Sequence, residues 1–175
     1  MRLSVLLILN NFILLSALFV VLITPPADNY EFSIYGAYPA SFWVLLIVSV
    51  VLGQICAIFS ILNNVPRRYW IFGLLTSIIA ISLVLFLPMI RGYYIYGRAD
   101  VLTHIGYMQD IGNIGSIAGD HYPGFHLLGF FMQELSGLPY GVITIMIPAI
   151  FSLIYVLYWF ILGREITTNR LVITL

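Results

Sequence analysis

Residues 96–126 read YGRADVLTHIGYMQDIGNIGSIAGDHYPGFH, and they hold all three histidines of the chain together with Asp100, Asp110 and Asp120. Carboxylates beside imidazoles can move protons or bind metal ions. On a helix over residues 100–111, Asp100, His104 and Tyr107 fall within about 60° of one another. Val101, Ile105 and Met108 form an adjoining apolar stripe, and Asp110 points elsewhere. Three chemistries fit these residue types. The segment is simply wet, and its charges cost little where they reach water. Alternatively, Asp100 and His104, at i and i+4, open a divalent-metal sphere that Asp120 or His121 completes, although no tight metal motif such as HExxH is present. In the third reading a carboxylate base stands beside an arginine clamp for phosphate, since Arg91 and Arg98 flank the segment and guanidinium offers a planar fork of donors.

The rest of the chain explains where such chemistry would be held. Of 175 residues, 62% are hydrophobic and 8% charged, the seven basic residues are all arginine and the formal net charge is zero. That composition is an integral membrane protein's, and it offers no basic surface for nucleic acid. The one cysteine, Cys56, lies in an apolar run and reads as a small buried or lipid-facing residue. Residues 3–24, 41–62 and 70–90 are each long and apolar enough to span a bilayer, and so is 142–162 despite Pro148. The first of these exceeds a signal-peptide core and lacks an A-x-A-like cleavage site, so it reads as a retained helix.

Arginine placement sets the expected orientation. Arg2, the pair Arg67 and Arg68, and Arg164 with Arg170 lie at ends that the positive-inside rule assigns to the cytoplasm. Loops 25–40 and 91–141 then face outward at the cell membrane, with Tyr30, Tyr35, Tyr38, Phe42, Trp43, Tyr93, Tyr94 and Tyr96 as interfacial aromatics. Residues 124–137, GFHLLGFFMQELSG, are helical in pattern but reach only ~20 Å, too short to span. His126, Gly129 and Gln133 recur at i, i+3 and i+7, opposite Leu128, Phe131 and Leu135. The expectation is a helix lying on the membrane with its polar stripe raised toward water, where His126 makes an ordinary polar contact. The fold class expected is therefore all-α and polytopic, with four membrane helices and one or two amphipathic helices in an outer loop.

The order of these features resembles the first external loop of GT-C glycosyltransferases, multispanning enzymes that use polyprenyl-phosphate-linked sugars. A span over 70–90 leads to Asp100 in GRADVLTHIGYMQDIGNIG. A surface helix, the Tyr122-Pro123 turn of DHYPGFHLLGFFMQELSGLP, a second surface helix and a span ending in GRE then follow. The likeness covers residues 70–165. It implies that 1–69 is a two-helix hairpin ahead of a GT-C-like unit from 70 to 175. It further implies that Asp100 is the general base, that Arg91 or Arg98 binds the donor phosphate, and that His104, Tyr107, His121 and Tyr122 contact donor or substrate. Many family members carry a second acidic residue directly after the first, where this chain has Val101, and they have many more spans. The apolar run in TTNRLVITL begins a further segment, so the expectation is the N-terminal portion of a longer enzyme, completed by later helices or by a partner chain. The competing reading is a non-catalytic membrane subunit or scaffold.

Overall fold

The computed structural model describes residues 3–96 and 100–166, and every regular element there is an α-helix. In chain order these are α1 (Leu3–Ile23), α2 (Ile34–Ala37), α3 (Ala40–Leu62), α4 (Arg67–Ile90), α5 (Asp100–Ile114), α6 (Pro123–Ser136) and α7 (Tyr140–Ile166). Helices α1, α3 and α4, and Tyr140–Gly163 within α7, are long and apolar enough to cross a membrane. The chain is thus a polytopic all-α membrane protein. Helix α6, with 14 residues, is about 21 Å long and does not qualify. Arg2, Arg98 and Arg170 lie outside the described residues.

Two compact units form: residues 1–85 with 153–175, and residues 86–152. In the first, α1, α3 and α4 pack through positions spaced alternately three and four apart. On α1 these are Leu7, Asn10, Leu14, Ala17 and Val21, on α3 Phe42, Leu46, Ser49, Gly53, Cys56 and Ser60, and on α4 Gly73, Thr76, Ala80 and Leu83. A sustained 3.5-residue spacing makes a left-handed seam, and small residues let the backbones approach. Ile8, Phe12, Leu15, Phe19 and Leu22 stay exposed on the opposite side of α1, as suits a lipid-facing surface.

One layer of this seam is polar. Asn10 Nδ2 donates to Thr76 Oγ1 at 2.9 Å, and the Thr76 hydroxyl donates in turn to the Gly73 carbonyl at 2.9 Å. Ser77 Oγ, fully buried, lies 3.2 Å from both the Val50 and the Gly73 carbonyls. Gly53 makes this crossing possible, because a Cβ there would stand 2.6 Å from the Gly73 carbonyl and against Ser77 Oγ. The turn between α3 and α4 is closed by Asn64 at φ 49°, with Val65 N–H bonded to the Ser60 carbonyl at 2.9 Å and Asn64 N–H to that of Ile61 at 3.2 Å. This is the Schellman pattern, here with asparagine in the left-handed position.

In the second unit α4 ends the same way: Gly92, at φ 80°, donates to Met89, and Tyr93 N–H reaches the Pro88 carbonyl at 2.9 Å. Gly141, near the start of α7, is pressed against the Tyr94 carbonyl so closely that any side chain would collide with backbone. Helices α5 and α6 pack on each other. Gly53→Leu is expected to separate α3 from α4 and to cost about 1–3 kcal/mol. Reversible unfolding in detergent micelles checks this, and an unchanged midpoint would contradict the close crossing.

Candidate functional site

The site is built by α5, α6 and the link between them. Their contacts advance in the same direction along both helices: His104 meets His126, Met108 meets Gly129, and Gly112 meets Phe130. Two helices joined this way are not a simple hairpin, so residues 115–122 must carry the chain back to the level of His104. Gly115 at φ 68° terminates α5, its N–H bonded to the Ile111 carbonyl at 3.0 Å. A turn follows in which Asp120 N–H bonds to the Ile117 carbonyl at 3.1 Å, with Gly119 at φ 82° in the third position, as a type II turn requires. Asp120 Oδ1 then accepts the Tyr122 N–H at 2.8 Å, and Pro123 starts α6 in a position where its missing donor costs nothing.

This return sets four side chains in a row. Asp100 Oδ2 lies 3.4 Å from His104 Nε2. His104 Nδ1 lies 2.8 Å from His126 Nε2. His126 Nδ1 lies 2.8 Å from Asp120 Oδ1 and 2.7 Å from Oδ2. Side-chain exposure along the row is 79% for Asp100, 25% for His104, 0% for His126 and 2% for Asp120. The row therefore runs from solvent inward, and its buried end is fully paired, as burial of an imidazole and a carboxylate demands.

Aromatic rings hold the imidazoles in place. Tyr107 stacks on His126 with centroids 5.1 Å apart and planes 22° from parallel. The rings of Tyr122 and Phe125 meet His104 edge-on at 6.0 and 5.3 Å. Below them Met108, fully buried, fills the space over Gly129, where a Cβ would stand 2.5 Å from its methyl carbon. Asp100 occupies the first turn of α5, where a carboxylate complements the helix dipole.

Sequence spacing placed Asp100, His104 and Tyr107 on one face, and the structure brings them together around His126. The polar stripe of α6 is not raised toward water. His126 and Gly129 are buried against α5, while Leu128, Phe131 and Leu135 are the exposed residues, Leu135 by 88%. The reason is that α5 supplies a partner for the imidazole and Gly129 removes the side chain that would hold the helices apart. His126, expected as an ordinary polar contact, and Asp120, named only as an alternative metal ligand, are thus the central residues, and the glycine within the polar stripe was the signal of close packing.

His121 is exposed, and the ring that meets His104 is that of His126 instead. Asp110 is exposed on another side of α5. Among the described residues no group of three or more His, Cys, Asp and Glu side chains is placed to hold a metal ion. The facing nitrogens of His104 and His126 are instead turned on each other. Arg91 is half-buried just after α4, its N–H bonded to the Leu87 carbonyl at 2.8 Å. No family model matches the chain, no curated protein matches it, and no solved structure matches it.

Burial pushes the Asp120 carboxyl up, but the hydrogen bonds from His126 and from the Tyr122 N–H, with the charges of His126 and His121, hold it below the ordinary carboxylate value. A depressed folded-state pKa contributes stability that is present above the unfolded value near ~4 and is lost as pH falls through the folded value. Hydrogen exchange at the Tyr122 amide, corrected for intrinsic rate, should show steady protection above about pH 5 and a decline below about pH 4. Asp120→Ala should lower protection at neutral pH and remove that acid-dependent step, whereas an unaltered acid profile would show that Asp120 does not hold the turn.

Proposed function

We propose that this chain carries the first external loop of a membrane glycosyltransferase that moves a sugar from a polyprenyl-phosphate donor on the outer face of the cell membrane. The observation that carries this reading is the row Asp100, His104, His126, Asp120, which opens to solvent at the first turn of a helix between two membrane-length helices. A phosphate-linked sugar brings its own leaving group, so the protein must take a proton from the acceptor hydroxyl and meet the departing phosphate. A carboxylate and an imidazole at one exposed corner provide for the first need, typically worth ~10²–10⁴-fold in rate. Arg91 follows α4 directly, at the level where a lipid phosphate sits if that helix crosses the bilayer, and together with Arg98 it serves the second need.

The resemblance to GT-C enzymes supports the same reading by its order of span, acidic residue, two surface helices and span. The exposed apolar residues of α6, Leu128, Phe131 and Leu135, suit a helix lying against lipid near a membrane-borne donor. The bilayer and the lipid-linked donor are then the main partners.

Reconstitution of the longest native reading frame in liposomes with a polyprenyl-phosphate hexose and a hydroxyl acceptor tests the activity. Asp100→Asn is expected to reduce transfer by ~10²–10⁴-fold with membrane insertion intact, and unchanged turnover would remove Asp100 from the reaction. Cysteines placed at Ser116 and Asn63, in a Cys56→Ser background, should label from opposite faces of sealed vesicles. Labelling from one face would contradict the outward position of the site.

A further inference from the structure

The four-residue row fixes more than position, because each hydrogen bond restricts where the next proton lies. The Asp120 carboxyl, held ionised, can only accept hydrogen bonds. His126 Nδ1, at 2.7–2.8 Å from both its oxygens, must therefore carry a hydrogen. With His126 neutral, its one N–H is the one at Nδ1, and Nε2 is then a bare acceptor. His104 Nδ1, 2.8 Å from that nitrogen, must then be the donor. His104 is left with a bare Nε2, and this is the nitrogen that faces Asp100 Oδ2 at 3.4 Å. Two acceptors at that separation form no hydrogen bond; a proton arriving on Nε2 turns the pair into a charge-assisted one.

We infer that His104 Nε2 is the base of the site, that Asp100 is the counter-ion which receives the imidazolium, and that Asp120 and His126 are positioning residues that dictate its tautomer from inside the protein. The assignment of a base rests on the glycosyl-transfer reading, whereas the tautomers rest on the hydrogen-bond geometry of two neutral rings beside an ionised Asp120. In the step so assigned, the acceptor hydroxyl gives its proton to His104 Nε2. The freed oxygen pair forms the bond to the anomeric carbon, while the carbon–oxygen bond to the polyprenyl phosphate breaks and its electron pair leaves on the phosphate. The proton rests between His104 and Asp100 and passes to water. Imidazole is intrinsically the stronger base of the two, so the carboxylate does better as its partner than as its rival.

Asp120 offers a sharp test because its two oxygens have different tasks. Oδ1 accepts the Tyr122 N–H, which has nothing to offer but a hydrogen. In Asp120→Asn the amide oxygen must stay on that N–H, and the amide nitrogen turns to His126 Nδ1 as a donor. That reverses His126, which then donates from Nε2 to His104 Nδ1 and leaves the hydrogen of His104 on Nε2, where it blocks base action. The change resembles the wrong-tautomer effect of an Asp→Asn substitution in serine proteases, here passed through two rings instead of one.

Nitrogen-15 NMR of histidine-labelled full chain in lipid nanodiscs at alkaline pH reads these states directly. The unaltered chain should show His104 and His126 each with hydrogen on Nδ1 and a bare Nε2, and Asp120→Asn should show both reversed. A hydrogen on His104 Nε2 in the unaltered chain overturns the inference, as does a His104 that keeps its state when His126 reverses. In the liposome assay, Asp120→Asn should lower turnover by ~10²–10⁴-fold with little change in KM. Undiminished transfer in a chain whose tautomers have reversed removes His104 as the base and leaves glycosyl transfer standing. Absence of transfer by the unaltered chain, with the tautomers as assigned, instead removes the glycosyl-transfer reading and the base with it.

Discussion

The hydrogen bond between His104 and His126 is the constraint on which the residue 86–152 unit turns. A fully buried imidazole must satisfy both ring nitrogens. One is met from α5 and the other from Asp120, so a single ring ties together two helices and the segment between them. Because α5 and α6 pass each other in the same direction, that segment has to return along the length of α5, and Gly115 and Gly119 take the positive φ angles that the return needs. Met108 over Gly129 fixes the approach one turn further along. The chemistry at the surface is thus set by packing beneath it.

The unit formed by α1, α3 and α4 solves a similar problem with different groups. Asn10, Thr76 and Ser77 are buried at a helix crossing, where the Asn10 amide nitrogen and the two hydroxyls find partners across the seam or on a neighbouring carbonyl. In both units glycine is what allows the polar contact, Gly53 and Gly73 in one and Gly129 in the other. A hydrogen bond between membrane helices contributes only about 0.6 kcal/mol on average. Its larger effect is on register, since sliding the helices would strand a polar group in an apolar surrounding.

Much of this was legible in the sequence. Apolar runs of membrane length identify α1, α3, α4 and α7 to within a few residues, because the length and composition of a span are dictated by the bilayer. Residues 100–111 show through helical spacing the face that Asp100, His104 and Tyr107 share, and Asp110 lies on another side of the helix. What spacing does not reveal is what covers a face. The stripe of His126, Gly129 and Gln133 fits water or a partner helix equally well as a pattern, and only the return of residues 115–122 decides between them. Asp120 is likewise invisible in isolation: its role depends on a turn that aims it at His126, six positions on. Pro88 lies within α4 and breaks no helix, which reflects the tolerance of membrane helices for proline.

The most direct measurement is a double-mutant cycle on the ring pair itself, with His104→Ala, His126→Ala and the combined variant compared for stability of the full chain in nanodiscs. Side chains joined by a buried hydrogen bond couple by about 0.5–3 kcal/mol. Coupling in that range is the expected result. Strictly additive effects would mean that the two imidazoles do not meet, and the ordered row from Asp100 to Asp120 would fall with that contact.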